Sequence, residues 1–132
     1  MKKLILIFAL FTLFSCDNET AVIETPEENN TILGRWHLVG FEQTVMYDFK
    51  AEFRHTIYAT NGTFGPTETN AIPNPNPWHI EDNKLIIDHF FDNISSNALN
   101  FKCSGNVVEL LEDDGTVNST LFREGFDYAT CN

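Results

Sequence analysis

From Thr31 onward the chain is punctuated, and the punctuation excludes most folds. Short apolar segments alternate with turn chemistry at Asn61-Gly62, Asp82-Asn83, Ser104-Gly105-Asn106 and Asp113-Asp114-Gly115. No stretch sustains a 3.6-residue apolar period over the length of a helix, and no internal repeat is present. Segments of about four to eight residues bounded by Gly, Asn and Asp are the pattern of an all-β chain.

The first strand is read over Ile32 to Phe41, where Trp36 is the largest apolar side chain and Gly34 lets other chain approach the ring closely. Next, Tyr47, Phe49, Ala51, Phe53, His55 and Ile57 alternate with Asp48, Lys50, Glu52, Arg54 and Thr56. The four-residue spacing of Phe49, Phe53 and Ile57 would also suit a helix. Asn61-Gly62 decides for strand, with Thr63-Phe64 starting the return. Pro66 to Pro77 holds four of the five prolines, so it is expected to be a long loop at one end of the sheet, a rim or lid or a passive connection. Hairpins then follow around Asp82-Asn83 and Ser104 to Asn106, and a last strand runs from Thr116 to Arg123. The expected fold is a small antiparallel up-and-down barrel of about eight strands over residues 31–132, since closure removes exposed edges.

The first 30 residues read as delivery. Lys2 and Lys3 precede an eleven-residue apolar run, Leu4 to Phe14, too short for the ~20 residues of a membrane-spanning helix. Leu13-Phe14-Ser15-Cys16 resembles the lipobox of bacterial lipoproteins, with Phe14 where a small or β-branched residue is usual. The resemblance implies a signal peptide over residues 1–15, acylation of Cys16, and a membrane partner reached through the lipid anchor. It also implies an address in the cell envelope of a Gram-negative bacterium, at the outer membrane. Two or three acyl chains make release slow, at roughly 0.8 kcal/mol per buried methylene. Residues 16–30 then form an acidic, flexible tether with five acids and no aromatic, reaching roughly 20 Å on average.

Loss of residues 1–15 removes two of the eight basic residues and none of the nineteen acids, so the formal charge moves from -11 to -13. Such a surface repels nucleic acid and anionic head groups. Cys103 and Cys131 remain for an oxidising compartment, either as a disulfide that closes nearly thirty residues or as two free thiols.

Gly34-Arg35-Trp36, Asn61-Gly62-Thr63-Phe64, Trp78 to Leu85 and Phe122-Arg123 together resemble the lipocalin-like domains of small bacterial lipoproteins. The resemblance spans about Thr31 to Arg123. It implies that Gly34 and Trp36 close the barrel floor and that Arg123 packs across the indole as a cation–π pair. The family's central Thr-Asp-Tyr element has no counterpart here, and no amphipathic helix follows the last strand.

No residue set spells out a reaction. His37, His55, His79 and His89 lack metal-ligand spacing, Asp88, His89 and Asp92 suit a solvated loop, and Ser104 has no nucleophile-elbow context. No cofactor and no enzymatic activity are expected. Of the twelve phenylalanines, the nine beyond residue 15 line a pocket or fill the interior. The first expectation is therefore a barrel that binds a small apolar or amphipathic ligand near the membrane, with Phe53, His55, Ile57 and Trp78 as ligand-binding residues. The alternative is a filled barrel that engages an envelope protein, or inhibits a target, through loops such as Pro66 to Pro77.

Overall fold

The computed structural model describes residues 30–131. The expected signal peptide, the expected acylation site Cys16 and the expected tether up to residue 29 lie outside the described residues. Eight antiparallel strands follow one another around a closed barrel: β1 (Gly34–Leu38), β2 (Val45–Phe49), β3 (Phe53–Tyr58), β4 (Asn76–Glu81), β5 (Lys84–Asp88), β6 (Ile94–Lys102), β7 (Val107–Leu111) and β8 (Val117–Arg123). β1 closes the ring against β8, with Trp36 opposite Arg123 and His37 opposite Phe122. The expected all-β up-and-down barrel is the fold observed.

Cross-strand partners share a face of the sheet, so the register sorts inside from outside. Trp36, Tyr47 and Thr56 form one inward row, Phe49 and Arg54 another, and Phe101, Val108 and Leu121 a third. The floor is packed by Ile32, Trp36, Phe49, Leu85, Val108 and Leu121, all nearly without exposure. Burial of each such side chain stabilises by roughly 1.5 to 3 kcal/mol.

A second apolar layer lies on the outside. Met46 and Ile57 are opposite one another across β2 and β3 and point away from the lumen, yet both have no exposure. A strap formed by the β3–β4 connection covers them. It carries one helical turn, α1 (Thr67–Asn70), and is fastened by Thr67 Oγ1 donating to Asp48 Oδ2 at 2.6 Å, Arg35 Nη2 donating to Gly65 O at 3.0 Å, and the Ile57 to Ala71 bridge. The tail beyond β8 covers the neighbouring wall. Phe64, His37, Phe122 and Tyr128 form a continuous row of ring contacts with centroids 5.0 to 5.4 Å apart. The Cys103–Cys131 disulfide pins the end of that tail to the β6–β7 turn.

Two sequence expectations are corrected by the register. The alternation from Tyr47 to Ile57 is not one strand, because the chain turns at Lys50 to Glu52, where Lys50 N donates to Phe53 O at 2.9 Å. Phe49 pairs with Arg54, so odd positions on β2 face even positions on β3. The apolar face therefore inverts at the turn. Asn61-Gly62 does not close a hairpin either. It starts the strap, Gly62 N donating to Gln43 O at 3.0 Å, and Thr63-Phe64 is not a strand. The count of eight survives because one strand split and another vanished.

Candidate functional site

The two ends of the barrel differ because the connections differ. At one end lie the tight β2–β3, β4–β5 and β6–β7 turns and the incoming segment Asn30 to Leu33. Here Trp36 Nε1 donates to Ile32 O at 2.7 Å, and Arg123 spreads over the indole with its guanidinium carbon 4.4 Å from the ring centroid. Arg123 also donates from Nε to Gly105 O at 3.0 Å, from Nη1 to Leu33 O at 2.9 Å and from Nη2 to Thr31 O at 2.8 Å. Gly34, at φ 108°, is required where it stands: a Cβ there would strain the backbone and meet Arg123 Nη1 at 3.2 Å. This end is stoppered.

The other end opens into a cup of about 440 Å³. Leu38, Tyr47, Ile87 and Leu110 supply its apolar lining, and Arg54, His89, Ser95, Asn97, Glu112 and Ser119 its polar lining. The size is in the range of small-molecule sites. Asn97 is nearly buried, donating to Leu111 O at 3.3 Å and Glu112 Oε1 at 3.5 Å, and Asn118 also donates to that oxygen. Glu112 is thereby held against its own wall.

Arg54 faces it from β3. Its guanidinium lies 4.6 Å from the Tyr47 ring centroid, and Nη2 donates to Asn76 Oδ1 at 2.6 Å. Its Nε is buried without a hydrogen-bond partner, and no carboxylate pairs with it among the described residues. Burial lowers the Arg54 pKa, with Tyr47 and Tyr58 acting against it, but an arginine stays charged at neutral pH. His89 beside it touches Ser95 Oγ through Nε2 at 3.0 Å. Burial first, then the Arg54 charge, holds its pKa below the usual histidine value, so at neutral pH it adds no cation.

None of the four expected ligand residues lines the cup. Phe53 is 40% exposed at the foot of β3, His55 points outward into a hollow beside Lys50 and Thr67, and Ile57 is sealed beneath the strap. The inverted alternation places them there. Trp78 does point inward, but at the stoppered end, its ring edge-on to Phe49 at 5.6 Å and its Nε1 donating to Lys50 O at 2.9 Å. It borders an apolar hollow of about 410 Å³ with Ile32, Ile80, Leu99 and Phe101, adjoining Asn30. Arg54 and His89 escaped the sequence reading as site residues, since one fell on the apparently solvated face and the other in a loop. The signal that would have found Arg54 is the turn at Lys50 to Glu52, which carries no Gly, Pro or Asn. Among the described residues, no three His, Cys, Asp or Glu side chains converge as metal ligands.

Fold and site together define a small closed β-barrel with one stoppered end and one open cup of mixed apolar and polar lining. Comparison with protein-family models, curated proteins and solved structures finds no match to the chain.

Proposed function

We propose that this is a lipocalin-like binding protein of the Gram-negative envelope, anchored at the outer membrane through Cys16, that holds a small amphipathic molecule in the cup. The observation that carries the reading is the cup itself, lined by apolar and polar side chains together, opposite a packed floor. An amphipathic body matches that mixed lining. The disulfide and the signal-like residues 2–16 support an oxidising compartment. The rival reading, in which Pro66 to Pro77 is displayed to an envelope partner, is less well supported because that segment is fastened to the barrel wall.

The test is saturable uptake of Nile red, a neutral dye, by residues 30–132 held in the oxidised state, together with a native mass spectrum of protein purified from its own host. Leu110→Trp, which fills the cup, should abolish uptake without unfolding the barrel. Absence of both saturable uptake and a bound mass would overturn the reading, as would uptake indifferent to Leu110→Trp.

A further inference from the structure

We infer that the ligand carries one carboxylate on an apolar body and that Arg54 is the residue that pairs with it; the inference rests on the cup being the binding site. Arg54 is half-buried, and its Nε is sealed from water without an acceptor and with no anion beside it among the described residues, which leaves a desolvation cost uncompensated. It cannot neutralise itself, and each unsatisfied buried donor forgoes a hydrogen bond that water would have supplied. Arg54 spends one hydrogen bond on Asn76 and lies against the Tyr47 ring, leaving Nε orphaned. The other cations of the inner wall and its surroundings are otherwise engaged: Arg123 on three carbonyls of the stoppered end, Arg35 on Glu124 and Gly65. A planar fork of N–H donors matches a carboxylate better than any neutral acceptor, and the match strengthens away from water.

The charge count around the cup argues for a single negative charge. Arg54 is its only fixed cation among the lining residues, and Glu112 stands in the same lining. A phosphate monoester would bring a second charge with no partner, inside a chain of formal charge -11. A neutral ligand would leave Arg54 as it is. An ammonium would have to choose Glu112 and accept the repulsion of Arg54.

The experiment compares octanoate, octanol, octylamine and octyl phosphate, all below their micellar concentrations, as competitors of Nile red on oxidised wild-type protein, Arg54→Met and Arg54→Lys. Octanoate should bind wild type at least tenfold more tightly than octanol and octyl phosphate, and Arg54→Met should bring octanoate and octanol within about twofold. Arg54→Lys should keep part of the preference. Arg54→Met should also fold and melt no lower than wild type, because it removes an uncompensated charge. Equal binding of octanoate and octanol, or tighter binding of octylamine or octyl phosphate, overturns the carboxylate while leaving the cup as a site. Failure of all four to displace a dye that Leu110→Trp excludes also overturns it. Should no dye enter at all, the underlying binding function fails with it. The wild-type comparison decides even if a variant proves unstable.

Discussion

Replacing Arg123 by alanine is the sharpest test of how the barrel is closed. Its side chain donates to Gly105, Leu33 and Thr31 carbonyls and covers the Trp36 ring, so one residue joins the β6–β7 turn, the incoming segment and the floor. Hydrogen bonds from a charged donor contribute roughly 1.5 to 3 kcal/mol each, giving a ceiling of about 4.5 to 9 kcal/mol for three. The ceiling is not reached: the side chain is partly exposed, and after truncation water reaches the released carbonyls. Burial also disfavours the charged guanidinium, whose pKa is lowered for that reason. With ~0.5 to 2 kcal/mol from the cation–π contact, the net expectation is a loss of about 2 to 4 kcal/mol. For a domain of this size that lowers Tm by roughly 10 to 20 °C. Arg123→Lys keeps the charge but cannot span three carbonyls, so it should recover less than half. Urea denaturation gives the free energies, and a cycle with Trp36→Phe isolates the ring contact. A loss below about 0.5 kcal/mol for Arg123→Ala would refute the reasoning, as would full rescue by lysine.

Reduction of the Cys103–Cys131 bridge, 28 residues apart, should remove about 3.6 kcal/mol in the chain-entropy picture, seen as a large drop in Tm by calorimetry with and without reductant. An unchanged Tm after confirmed reduction would contradict it. Phe90, Phe91 and Asp92 all adopt positive φ in the β5–β6 turn, and the Phe91 side chain is fully exposed. Phe91→Gly should therefore stabilise by about 0.5 to 1 kcal/mol through relief of left-handed strain, and a loss of stability by urea titration would show that the ring has a packing role. His89, whose pKa is lowered in the fold, favours the neutral ring. Its contribution is complete above the unfolded value near 6.5 and is lost as pH falls below it. Proton NMR should find its midpoint below that of an exposed histidine, and a midpoint above it would remove the burial argument.

How much of this was legible in the sequence depended on whether turns announce themselves. Asp82-Asn83, Ser104-Gly105-Asn106 and Asp113-Asp114-Gly115 do, and the hairpins they mark are where they were expected. Trp36 and Arg123 could be placed together because the first and last strands of a closed meander are neighbours. Lys50-Ala51-Glu52 announces nothing. The alternation ran through it, and a side-chain period of two turns a missed corner into a reversal of faces, so His55 was assigned inward and Arg54 outward. The strap was missed for another reason: Thr67 reaching Asp48 is a contact across nineteen positions, and local pattern carries no trace of it.

The strap and the tail have a mechanical consequence. They double the wall along β1, β2, β3 and β8, whereas the outer faces of β4 and β6 carry exposed His79, Glu81, Ser96, Asn100 and Lys102 with no second layer among the described residues. A vessel of uneven thickness does not breathe evenly. Amides of β1 and β2 should exchange with solvent only on global opening, while those of β4 should exchange through smaller fluctuations. Arg54 lies where the two regimes meet, paired with Asn76 at the start of β4 and with little further β3–β4 pairing beyond it. The yielding side of the cup is thus the side that carries its cation.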